Sequence, residues 1–194
     1  MIETEIPEKK LAVMNATLLL VSDHGLEGVS TALISKEANV GMGTLYRYFE
    51  SKEQLLKAVF ERLREQMLKV VMEGIGRLDA SIFQQFEGII KSLIAYYAEH
   101  RLEFKFLQKY SDSSYMQDAY LDESAILLAP ISHILSSGGE EFKFRDLPAE
   151  MLFAMIYGPL ISILQLSHLN KINLTEERQD ILIRSIWSSI TENR

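Results

Sequence analysis

Thr44, Tyr46, Arg47 and Tyr48 stand close together, with Ser30 and Thr31 upstream and Lys52 downstream. Hydroxyls and cations at this density suit phosphate esters, because each O–H or N–H can donate to a phosphate oxygen. A guanidinium can also donate to the two acceptors of a guanine edge. Interleaved with these groups are Val40, Leu45 and Phe49, whose spacing is that of residues packing inward. Thr44 and Tyr46 are therefore expected on phosphates or base edges. Arg47 either reads a guanine or meets a phosphate. Tyr48 either joins them or lays its ring on the first helix. Gly43, beside Met42, is small enough to let a backbone approach closely. Lys52 sits where a helix begins, so free amides and an ammonium face the same anion. Ser30 and Thr31 can cap a helix, contact phosphate, or do both. The expected contact set is Ser30, Thr31, Met42, Gly43, Thr44, Tyr46, Arg47, Tyr48 and Lys52.

These residues need elements to hold them. A first helix carries Val13, Ala16, Thr17, Leu20 and Val21 on one face and stops at Gly25. A second runs from the Ser30-Thr31 caps through Ala38. Asn39 suits a left-handed turn, and Gly41 opens a short third helix. That layout is a helix-turn-helix, in which the second helix of the pair enters the major groove of double-stranded DNA. Ser51 and Gln54 form a capping-box pattern for a fourth helix, which Gly74 and Gly76 should end. Ser81 with Gln84 repeats the pattern, and Ile82, Phe86, Ile90 and Leu93 trace the next helical face. A shorter helix follows from about Arg101 to Tyr110, then a polar turn from Ser111 to Ser114. Tyr115 to Leu135 reads as helical and Ser136 to Glu140 as a loop. A long apolar helix follows Pro148, and Asn173 or Thr175 caps the last one. No hairpin signal appears. The expected fold is all-α, with residues 1–52 as a DNA-binding head and 53–194 as a second helical domain.

Composition narrows the function further. The 194 residues are 47% hydrophobic and include no cysteine. Disulfides and thiolate chemistry are thereby excluded, and a cytoplasmic location is expected. Residues 1–10 are acidic and polar, unlike a secretion signal. The net charge is −7, and residues 1–57 carry six basic against eight acidic side chains. Affinity for DNA must then rest on a few well-placed groups and on dimerisation. Met151 to Asn170 holds no formal charge and is long enough to span a bilayer, but Gly158, Pro159, Ser162 and Gln165 interrupt it. A buried core helix is the better reading, so no membrane partner is expected. The four histidines lack metal-ligand spacing. Phosphate-loop and nucleophile-elbow motifs are missing, which speaks against an enzyme and against a cofactor.

The second half is rich in aromatic residues. Most such residues build ordinary core. A subset can instead wall an apolar pocket between helices. Phe86, Ile90, Phe104, Tyr110, Tyr120 and Met155 are the expected pocket residues for a small apolar or amphipathic effector.

Over residues 10–57 the chain resembles the TetR family of transcriptional regulators. The resemblance rests on Ala16, Gly25, Ser30-Thr31, Ile34, Ala38, Val40, Gly43-Thr44-Leu45-Tyr46, Tyr48-Phe49, Ser51-Lys52-Glu53 and Leu55 in that order. Asn39 stands where the family usually has Gly, and Gly41 where it often has Ser. The resemblance implies an obligate homodimer, a palindromic operator, and repression relieved by a small molecule bound in the C-terminal domain. Two alternatives are a DNA-binding regulator controlled by another protein and, more remotely, an all-helical enzyme.

Overall fold

The computed structural model describes residues 6–76, 80–111, 113–116 and 143–192. The expected loop at Ser136 to Glu140, most of the helical segment to Leu135, and Tyr120 lie outside them. The described residues fall into two compact units. One comprises residues 1–65 and 102–120, the other 66–101 and 121–194.

The first unit holds α1 (Glu8–His24), α2 (Thr31–Glu37), α3 (Met42–Tyr48), the first part of α4 (Lys52–Ile75) and most of α6 (Arg101–Ser111). Pro7 precedes α1, and Gly25 ends it at φ 78°, a left-handed value that spares glycine any Cβ clash. Val13, Val21, Ile34, Leu45, Leu55 and Leu56 are all fully buried in its core. Each contributes about 1.5–3 kcal/mol by leaving water. Phe60 of α4 stacks on Tyr110 of α6, with ring centroids 4.7 Å apart. Lys109 of α6 donates to the carbonyls of Val21 and Ser22 at the end of α1, at 3.2 and 2.9 Å. The grouping of α6 with the head helices was not expected from the sequence.

The second unit holds the rest of α4, α5 (Ile82–Glu99), β1 (Lys143–Phe144), α7 (Ala149–His168), α8 (Glu176–Ile190) and β2 (Thr191–Glu192). The Ser81 and Gln84 capping box is present in full. Trp187 of α8 collects Phe83, Phe86 and Phe144 around it at centroid distances of 5.4, 5.1 and 5.6 Å. β1 pairs antiparallel with β2, Lys143 opposite Glu192. This pairing is too short to leave a periodic trace in the sequence.

Three sequence readings change. Gly74 does not end α4: the helix continues to Ile75 and stops at Gly76, φ 63°. Gly74 is needed because α5 crosses there, and a Cβ on Gly74 would stand 2.7 Å from the Cα of Ile89. Thr175 occupies the position before α8 but makes no side-chain cap. The apolar α7 is buried on one side only. Leu152, Phe153, Ile156, Leu160, Ile161 and Leu164 face inward, while Met151, Leu166 and the following Leu169 are 50%, 40% and 66% exposed.

Candidate nucleic-acid interface

The α2–α3 turn is held by local chemistry. Ser30 caps α2 by accepting from the amide of Leu33 at 3.2 Å. Asn39 adopts φ 51°. Buried Ser35 donates its hydroxyl to the Val40 carbonyl at 2.6 Å, and the Val40 amide returns a bond to the Ser35 carbonyl at 3.0 Å. This reciprocal pair was not read from the sequence. The only hint is a serine next to Ile34 on the inward side of a short helix.

Gly41 stands at the start of α3 without a side-chain cap, and its carbonyl accepts from the amides of Thr44 and Leu45. Leu45 and Phe49 are buried and lock the helix down; Val40 is half-buried. Met42, Gly43, Tyr46 and Arg47 are consequently exposed together, with Thr44 and Tyr48 half-exposed. The structure thus brings the expected residues of α3 to one outward surface. Tyr46 also reaches across to α2, its hydroxyl 3.2 Å from that of Thr31. Arg47 lies over the Tyr48 ring, 5.1 Å from guanidinium carbon to centroid, and donates to the Tyr48 hydroxyl at 3.2 Å. This contact holds a long side chain in one orientation.

At the α4 N-terminus the capping box takes a shifted form. Ser51 accepts from the Gln54 amide at 3.1 Å, while Gln54 Oε1 accepts from the Glu50 amide at 2.6 Å. Lys52 donates to the Leu26 carbonyl at 2.6 Å, tying the α1–α2 connection to α4. One of its three N–H donors is therefore spent inside the protein. Lys10 is similarly placed over the Phe49 ring at 5.6 Å. Burial together with the Glu27 and Glu53 carboxylates pushes the Tyr115 phenol up.

Gly43 offers a direct test. A Cβ placed there meets nothing within 4 Å. Gly43→Ala should raise head stability by about 0.5–1 kcal/mol, the usual gain for Ala over Gly in a helix. Thermal denaturation followed by circular dichroism checks this. A drop in midpoint would mean that the fold itself requires the glycine.

The expected pocket residues fall in both units. Phe86 and Ile90 of α5 are buried and Met155 of α7 is half-buried in the second unit. Phe104 and Tyr110 of α6 are buried in the first. Tyr120 lies outside the described residues. Among the described residues, no cluster of three His, Asp or Glu is placed to hold a metal.

A helix-turn-helix head with an exposed second helix, built on an all-α body, defines a DNA-binding transcriptional regulator. Residues 13–59 match the family described as bacterial regulatory proteins, tetR family. Residues 59–192 match the tetracyclin repressor-like C-terminal domain. The chain belongs to the tetR family. It is 26% identical over 147 residues to the HTH-type transcriptional regulator BetI of Vibrio atlanticus, covering 67% of this chain and 74% of that one. A TetR family transcription regulator from Marinobacter aquaeolei VT8 has the same fold, with a TM-score of 0.85, 21% identity, and coverage of 96% and 97%. So does FadR of Bacillus subtilis, solved in complex with stearoyl-CoA, with a TM-score of 0.79, 19% identity, and coverage of 93% and 98%.

Proposed function

We propose that the protein is a cytoplasmic homodimeric repressor that binds a palindromic operator and is released by a small apolar or amphipathic effector. One observation carries the DNA part: α3 exposes Met42, Gly43, Tyr46 and Arg47 on a helix whose other side is locked by buried Leu45 and Phe49. In this reading α3 lies in the major groove. Thr44 and Arg47 face base edges, and Gly43 allows close approach. Ser30, Thr31, Tyr46, Tyr48 and Lys52 meet the phosphates beside it. Selection of bound sequences from a random DNA pool tests the reading. A palindrome with half-sites about 34–36 Å apart is the expected result, and no enriched sequence would refute it.

The dimer is argued from α7 and α8. Ile181 of α8 is 60% exposed, alongside the exposed Met151 and Leu166 of α7. A groove between these helices is lined by Ile163, Ile172, Leu174, Ile181 and Leu182, with Lys171, Asn173 and Arg178 also on its walls. Exposed isoleucine, leucine and methionine on both helices call for a partner. A bilayer would have to accept Pro159, Ser162 and Gln165, all exposed on α7. A second copy, pairing its α7 and α8 with these about a two-fold axis, covers the surface and matches the symmetry of a palindrome.

The effector is assigned to the second unit, with Phe86, Ile90 and Met155 as residues that feel its arrival. The acyl-CoA held by FadR supports an apolar or amphipathic class of ligand. Control by another protein is the competing reading; stabilisation by fatty acyl compounds in a thermal-shift screen would favour the effector.

Two substitutions separate the roles of the phosphate-facing groups. Tyr46→Phe keeps the ring and removes the hydroxyl near Thr31; operator affinity should fall by about 3- to 10-fold. Lys52→Ala should reduce the slope of log affinity against log salt by about one unit. It should also lower the melting temperature, because the Leu26 carbonyl loses its donor. Binding titrations at several salt concentrations read both. A lower melting temperature with an unchanged slope would leave Lys52 as an internal tie alone.

A further inference from the structure

A surface cavity of about 200 Å³ lies within the second unit, between the last turns of α5 and α7 and the start of α8. Ile94, Ala95, Ala98, Leu164 and Leu174 form its apolar wall, and Ser167, His168, Asn173 and Gln179 its polar side. It begins one turn beyond Ile90 on α5 and includes none of the six residues assigned above to the effector.

Its size sets one limit. An engineered apolar cavity of about 150 Å³ holds benzene, so this one has room for a single ring with one small substituent. Its charge sets a second. No Asp, Glu, Lys or Arg lines it, and His168, which does, directs its Nε2 at the Tyr97 carbonyl, so an anion would lose water without meeting a lysine or arginine. Ala98 and Ser167 belong to the last turns of α5 and α7, whose C-terminal ends carry partial negative charge. Two such ends favour a ligand that arrives with an O–H or N–H donor. Gln179 is a lining side chain that can accept from it. Its Nε2 donates to the Leu174 carbonyl at 3.1 Å, so Oε1 is the acceptor end of an amide already held in place.

The walls are braced before any ligand arrives. His168 Nε2 lies 2.9 Å from the Tyr97 carbonyl. A carbonyl only accepts, so Nε2 carries the proton. This bond ties the last turn of α7 to that of α5. Asn170, with φ 54°, then turns the chain towards Asn173 and Leu174.

We propose that this cavity binds a neutral, single-ring-sized molecule bearing one hydroxyl or amide donor. The assignment concerns binding and stands apart from the operator reading. Phenol serves as the probe, with toluene and benzoate as comparators, on the full chain carrying ¹³C-labelled Ile, Leu and Ala methyls. Phenol should move the methyl signals of Ile94, Ala98, Leu164 and Leu174 saturably. Toluene, lacking the donor, should bind about fivefold more weakly, and benzoate should leave the signals in place. Ala98 is solvent-exposed on α5, so Ala98→Leu should keep the fold, fill the cavity and abolish the phenol shifts. Gln179→Leu should weaken phenol about fivefold and leave toluene unchanged. Three results would each overturn the proposal: no saturable shift up to about 10 mM phenol, well beyond the affinity of a useful site for so small a molecule; shifts that survive Ala98→Leu; or benzoate binding as well as phenol.

Discussion

Gly88→Ala should destabilise the second unit by about 3 kcal/mol and lower its melting temperature by about 6–12 °C. The cause is the crossing of α4 and α5. A Cβ on Gly88 would lie 2.1 Å from the Gly74 carbonyl oxygen, and that atom is backbone. No rotamer change relieves such a contact, so the helices must separate and loosen the packing around buried Ile89, Ile90 and Val71. In an open helix the same substitution stabilises by about 1 kcal/mol, so the expected loss is opposite in sign to the helix-propensity effect. Trp187 is the chain's single tryptophan and lies in this unit. Guanidinium unfolding followed by its fluorescence therefore reads the affected region. A variant as stable as the parent would mean that the crossing is not as close as described. Gly43→Ala is the natural control, since its Cβ meets nothing.

Ile181→Glu should leave the protomer folded and break the dimer. Ile181 is 60% exposed in the protomer, so a carboxylate there costs little while the chain is alone. In the proposed assembly it enters a seam of isoleucine and leucine side chains, with Lys171 and Arg178 on the same groove. Burying a carboxylate there costs several kcal/mol wherever neither cation reaches it. The dimer dissociation constant should rise about 100-fold or more, equivalent to about 3 kcal/mol. Operator affinity should fall with it, because each half-site is then bound alone. Sedimentation velocity at micromolar concentration measures the first effect and operator titration the second. An Ile181→Glu protein that stays dimeric would move the interface away from this face. One that becomes monomeric but binds the operator undiminished would remove the need for a dimer.

The head was legible because its determinants are local. Ser30, Asn39, Gly41, Ser51 and Gln54 act on backbone groups within five residues of themselves, and the sequence displays them in order. The partners of Lys52 and Gly74 were not legible for the opposite reason. Leu26 is 26 positions from Lys52, and Gly88 reaches Gly74 from another helix. A glycine near a helix end reads as a stop when the crossing element is invisible. The burial of α7 was half legible: its apolar composition was plain, but composition does not say whether the partner is this chain or another. The surface of α3 followed from the inward spacing of Leu45 and Phe49. The aromatic residues of the second half carry no comparable signal, since rings in a solid core and rings around a ligand have the same spacing.

The internal bonds of Lys10 and Lys52 bear on how a regulator finds its site. Random duplex is held through cations that neutralise phosphates and release counterions. The head has more acidic than basic side chains, and the Lys10 and Lys52 ammonium groups keep their charge but are held in fixed positions by Phe49 and Leu26, suited to one docked geometry rather than to any passing phosphate. A chain so equipped is expected to leave arbitrary DNA quickly. Its search of a chromosome then proceeds by many brief three-dimensional encounters, with little travel along the double helix between them. Single-molecule dwell times on operator-free DNA should accordingly be short and nearly independent of fragment length.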